Sequence, residues 1–137
     1  MTEAVDWPDV EARTLDLVAD HLTAVAPSAT SAVGVPTDWT PASGVHVQVA
    51  QDSPLRPRVA VEAFASALVR VTVWAPSTSE AKRVAARLWG RLLAHDGTAP
   101  IAGVEPSAGP FPAQDPDTKA ELASFVVDIT VRSVPPT

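Results

Sequence analysis

Leu68-Val69-Arg70-Val71-Thr72-Val73-Trp74 is the stretch whose reading decides the fold, together with Ser77-Thr78-Ser79-Glu80, which follows across Ala75-Pro76. Its first half alternates. Val69, Val71 and Val73 fall on one face, and Arg70, Thr72 and Trp74 on the other. A period of two marks a strand with one buried face. The second half is a capping box, in which the serine oxygen and the glutamate carboxylate satisfy free backbone donors reciprocally. A helical period follows at once, with Ala81, Val84, Ala85, Leu88 and Leu92 on one stripe. Gly97 is expected to end this helix, because glycine tolerates the left-handed cap conformation.

Working outward, residues 6–26 read as an earlier helix. Asp6 is its expected cap, with Pro8 in the first turn, where a missing N–H costs nothing. Asp9 and Glu11 sit near the positive end of the dipole. Leu15, Val18, Leu22 and Val25 form its apolar stripe, and Pro27 stops it. Residues 27–43, rich in Pro, Ser, Thr, Ala and Gly, read as a loop with a short edge strand at 33–35. Gly44 opens a strand at 45–49 whose valines alternate with polar residues. Residues 51–57 read as a loop and 58–65 as another strand, with Val59 and Val61 in alternation. A hairpin turn at 65–67 would separate it from the strand that begins at Leu68.

After the second helix, 101–109 reads as a strand and 110–118 as a proline-rich acidic loop. The last strand spans 122–134. It turns Phe125, Val127, Ile129 and Val131 inward, and Ser124, Asp128, Thr130 and Arg132 outward. This order of elements predicts an α+β fold: a mixed, mostly antiparallel β-sheet with two main helices packed on it.

The 137 residues suffice for a single domain with one core. With 46% hydrophobic and 19% charged residues, the composition is globular rather than disordered. The 14 prolines cluster between apolar runs and read as stiff loops. The absence of cysteine excludes disulfides, zinc–thiolate sites and cysteine nucleophiles. The acidic first residues lack a basic and then apolar leader, so no signal peptide is expected. No apolar run approaches a membrane span, so no membrane partner is expected. A net charge of −6 argues against gripping nucleic acid as the main task.

The sequence carries no assignable catalytic constellation. His21, His46 and His95 are scattered without metal-ligand spacing, and read as ordinary surface or half-buried histidines. Neither a Gly-x-Ser-x-Gly nor a phosphate-binding loop is present. The glycines stand singly in turns and caps, except Gly90 inside the second helix, which is expected to admit the close approach of another backbone. Asp115 and Asp117 supply two carboxylates, against the roughly six to eight oxygens calcium takes. No catalytic residue, metal or cofactor is therefore assigned, and the protein is expected not to be an enzyme.

Charge placement says more. Arg83, Arg87 and Arg91 fall at i, i+4 and i+8 and make one basic ridge, flanked by Lys82. Acidic residues gather at Glu105, Asp115, Asp117 and Glu121. Two readings stand side by side. One is a solvated helix face. The other is a ridge that meets the acidic loop of a neighbouring copy and sets its register. Of the tryptophans, Trp89 reads as core, while Trp74 fits either a core or a partner contact.

Two stretches carry a family resemblance. The first is the run from Leu68 to Ala75, then Ser77-Thr78-Ser79-Glu80-Ala81-Lys82, and a helix ending in Leu92-Leu93-Ala94-His95-Asp96-Gly97. The second is Gly109-Pro110-Phe111-Pro112-Ala113-Gln114-Asp115-Pro116, followed by Phe125-Val126-Val127-Asp128-Ile129-Thr130-Val131-Arg132. Over roughly residues 9–132 the chain resembles tail terminator proteins of long-tailed (siphovirus-type) bacteriophages of actinobacteria. The resemblance implies a homo-oligomer, a hexameric ring, that caps the tail tube. Such a ring ends polymerisation of the tail tube protein and offers a docking surface to the neck or connector protein. DNA would pass through its lumen. The implied location is the virion, at the tail–neck junction, after assembly in the bacterial cytoplasm. A head–tail connector or head-completion protein of the same neck is the nearest competing reading. A small host ligand-binding domain, or an enzyme with dispersed active-site residues, is the alternative of another class.

Overall fold

The structure is a computed structural model that describes residues 5–58, 61–98, 100–118 and 120–135. Among these residues, helices α1 (Val10–Val25) and α2 (Thr78–Leu93) accompany six strands. The strands are β1 (Thr30–Ala32), β2 (His46–Gln51), β3 (Arg56–Arg58), β4 (Val61–Ala75), β5 (Ile101–Gln114) and β6 (Glu121–Arg132). They form one sheet in the order β1-β2-β4-β6-β5, with β3 also paired to β4. The β1–β2 pair is parallel and the others are antiparallel. This is an α+β fold with a mixed, mostly antiparallel sheet and two helices packed on it.

The alternation read at Leu68–Trp74 governs the register of the central strands. Val69 pairs with Val127, Val71 with Phe125 and Val73 with Ala123, while Val49 and Val47 pair with Val71 and Val73 from the other side. Residues directly opposite point to the same face. These side chains therefore make one buried layer, and α2 covers it with Ala81, Val84, Ala85, Leu88 and Leu92. Helix α1 lies beside α2 and adds Val10, Val18, Leu22 and Val25.

Several boundaries differ from the sequence reading, each for a local reason. Helix α1 is capped by Asp9, whose carboxylate accepts the Ala12 N–H at 3.1 Å. Asp6 instead pairs its backbone with Val134. The first edge strand is Thr30–Ala32 rather than 33–35, since it is Thr30 to Ala32 that run parallel to β2. No turn interrupts 65–67: Ala65 and Ala67 lie buried within the continuous β4, opposite Val131 and Ile129. The pairing of β3 with β4 instead begins earlier in the chain, at Arg58 and Val61. Val59, expected in that strand, lies outside the described residues.

The expected 110–118 loop is also revised. Strand β5 runs on to Gln114, and only Asp115 to Thr118 turn. Proline 106 and Pro112 fit here because β5 is an edge strand, where a missing N–H breaks no ladder. Helix α2 ends at Leu93 and not at Gly97. Gly97 is needed in the loop beyond, where φ is +82° and a Cβ would sit 3.0 Å from the Ala102 carbonyl oxygen. Half of the expected capping box is formed, with Ser77 Oγ accepting the Glu80 N–H at 3.2 Å.

Phe125→Ala is expected to lower stability by roughly 3–5 kcal/mol, as for truncation of a fully buried aromatic. Thr72→Ala on the opposite face should change it by about 0.5 kcal/mol or less. Urea unfolding of both variants checks this, and comparable losses would contradict the assignment of the two faces.

Candidate functional site

The three histidines hold structure. His46 is 1% exposed. Its Nε2 lies 2.7 Å from the Gly34 carbonyl oxygen and so carries the proton donated there, while Nδ1 lies 2.7 Å from Thr30 Oγ1. The pair of bonds folds the 33–44 loop across the helix-free face of the sheet. In the same loop, Trp39 donates its Nε1–H to the Gly44 carbonyl at 3.1 Å. Trp39 also meets Trp74 edge-on, with centroids 5.7 Å apart and planes at 66°. Trp74 is thereby half-buried within its own chain. His95 Nε2 donates to the Ile101 carbonyl at 2.9 Å and fixes the loop leaving α2.

His21 lies between the two helices. Arg91 Nε–H donates to His21 Nδ1 at 3.1 Å, which requires that nitrogen to be unprotonated. A cleft of about 340 Å³ opens beside it, bounded by Arg13, Asp16, Asp20, His95 and Asp96. Burial pushes the His21 pKa below its ordinary value, and the Arg91 guanidinium adds to this, with Asp20 opposing. Asp96, at the rim, is held below the usual carboxylate range by hydrogen bonds from Thr98. No nucleophile is aligned with a base here. Among the described residues no group of three His, Cys, Asp or Glu side chains is placed to hold a metal ion. No helix among them is long and apolar enough to cross a membrane.

The basic ridge is real as geometry. Arg83, Arg87 and Arg91 are all exposed along α2. Among the described residues neither Arg83 nor Arg87 makes an ion pair. Arg87 and Arg91 border a groove of about 380 Å³ between the end of α1 and α2, floored by Ala24, Val25, Ala86, Gly90 and Ala94. The close approach expected at Gly90 does not occur within the chain: a Cβ there would meet nothing within 4 Å.

Of the acidic residues, Glu105 lies within β5 opposite Asp128, while Asp115, Asp117 and Glu121 lie at the β5–β6 turn. Asp115 accepts from both the N–H and the hydroxyl of Thr118, at 2.9 and 2.5 Å, and so shapes the turn. Asp117 is exposed beside it. Glu121 joins this hairpin to α2, accepting from Thr78 Oγ1 at 2.8 Å and from Gln114 at 3.1 Å. Ridge and turn thus occupy separate places on one chain.

One surface feature escaped the sequence reading. Phe111 is 72% exposed, against 44% for Val33, the next among the exposed large hydrophobics. Its register partner is Ser124, opposite Thr72, so it stands on the helix-free face of the sheet. Its place in a presumed loop, between two prolines, concealed the signal.

The chain is similar in structure to a chain in the virion of a native gene transfer agent particle, with a TM-score of 0.58. The likeness covers 90% of this chain and 92% of that one, at 16% sequence identity. At that identity the likeness establishes the fold. No family model matches the sequence, and no curated protein does.

The Arg91–His21 bond carries a pH expectation. A histidine whose folded pKa is lowered stabilises the fold above its unfolded value. That contribution is lost as pH falls from about 6.5 towards the lowered folded value. His21→Gln should flatten this part of the profile. Melting temperatures at pH 7.5, 6.5 and 5.5 measure it, and parallel profiles for the two chains would contradict the assignment.

Proposed function

We propose that this protein is a structural component of a phage-like virion, and within it the tail terminator: a ring that caps the tail tube and docks it to the neck. The observation that carries the reading is the end-to-end likeness to a chain of a gene transfer agent virion, covering nine-tenths of both chains. The sequence resemblance to tail terminators of actinobacterial siphophages supports the finer role independently. The surface chemistry agrees with an assembling part. His46, His95, Trp39 and Trp74 are engaged in holding loops, whereas the arginines of α2 and the largest exposed apolar side chain point outward.

In this reading the work is steric and interfacial. Arg83, Arg87 and Arg91 face the Asp115–Asp117 turn of the adjacent copy, so that opposite charges set register around a hexameric ring. Trp74 contributes through the surface it leaves beside Trp39. The tail tube protein meets one face of the ring and the neck or connector protein the other, and DNA threads the lumen. The site of assembly is the host cytoplasm and the final location is the tail–neck junction.

Tube capping is the test. Adding the protein to its particle's tail tube protein during polymerisation should give shorter tubes, each with extra density at one end in negative stain. Arg87→Glu should leave a folded protein that no longer shortens them. Unchanged tube lengths, with the protein binding a portal-side ring instead, would overturn the terminator role in favour of a connector.

A further inference from the structure

The molecule carries a knob and a hole that cannot meet within one chain. The knob is Phe111, 72% exposed on β5 and flanked by Pro110 and Pro112. Register puts it on the sheet face opposite the helices, in line with Ser124 and Thr72. The hole is the groove between α1 and α2, on the helical side. Gly90 opens its floor, where even a methyl group would touch nothing, and Ala86 and Ala94 keep it shallow. At about 380 Å³ the groove has room for an aromatic ring. An exposed phenylalanine of this kind is a large apolar area left in water, and such anchors commonly seat in a partner's pocket.

Charge selects the occupant. The groove's rim is basic, with Arg87 and Arg91. The strand that bears Phe111 runs directly into the Asp115–Asp117 turn. An apolar knob followed within a few residues by carboxylates matches an apolar floor bordered by guanidinium groups. We propose that the Phe111 side chain of one copy enters the Gly90 groove of the next, with its acidic turn against Arg87 and Arg91. The inference rests on the ring reading above and gives that ring its contact.

Knob and hole lie on opposite sides of the sheet, so the contact is heterologous: each copy gives one and receives one. Such contacts either close into rings or continue as open filaments. It also explains why a glycine stands exposed in the last turn of α2. Alanine would suit an isolated helix better, by up to about 1 kcal/mol, and no neighbouring atom within the chain demands glycine there.

Two variants test this in the full chain. Gly90→Leu fills the hole and leaves the knob; Phe111→Ala removes the knob and leaves the hole. Circular dichroism and melting should show both folded. Light scattering after size exclusion should then show wild type assembled and each variant alone monomeric. An equimolar mixture should stop at one-to-one dimers, because a single intact knob-and-hole pair remains. If wild type assembles and either variant still does, this contact is wrong while the ring reading stands. If both variants are monomeric but their mixture does not pair, the knob does not enter the groove. A wild-type chain that stays monomeric at all concentrations overturns the contact and self-association together.

Discussion

The antiparallel pairing of β4 with β6 runs without a register break from Phe64 opposite Arg132 to Ala75 opposite Glu121. Everything else is positioned by it. Because a one-residue slip would turn every valine of β4 to the wrong face, the pairing that buries Val69, Val71 and Val73 also fixes Phe125, Val127 and Ile129 against α2. It equally fixes what the opposite face shows. Thr72 and Ser124 lie there with Phe111, and the long β5–β6 hairpin is carried out to its acidic turn. The same alternation that builds the core therefore also sets what that face displays.

The two faces of the sheet are treated differently. One is closed by α1 and α2 and holds the large buried side chains. The other has no helical layer, and is covered at its β2 end by the 33–44 loop, held by His46, Trp39 and Trp74. Towards β5 that face carries polar residues and the exposed Phe111. The histidines, which in another protein would be the first place to look for chemistry, are committed to loop closure and to the α1–α2 seam. Phe111, the arginines of α2 and the acidic β5–β6 turn stay on the surface.

Long alternations and a helical stripe were readable because their signal is repeated many times over. The buried set of α2 came out as the residues foretold, and so did Phe125, Val127, Ile129 and Val131 of β6; Thr130, read as facing outward, is buried as well, with Ala123 and Val126. The failures have physical causes. Ala65, Ser66 and Ala67 resemble a turn because they are small, yet in β4 the alanines are small where the sheet packs tightly and has no need of bulk. Prolines 106, 110 and 112 argue against a strand only if the strand is central, and the sequence does not reveal which strand will be an edge. Asp6 and Asp9 are equally good caps on paper; the pairing of Asp6 with Val134, 128 positions away in sequence, decided between them. The arginine ridge was legible from spacing alone, but the groove beside it depends on how α1 crosses α2, and Phe111 was hidden inside a presumed loop.

The proposal that this chain is built into a phage-like particle where tail meets neck is tested most directly by immunogold labelling, with antibody raised against the chain and applied to purified particles from the host that carries its gene. Gold is expected at the head–tail junction. Gold on the capsid or at the far tail tip, or unlabelled particles with the chain left in the soluble fraction, would contradict it.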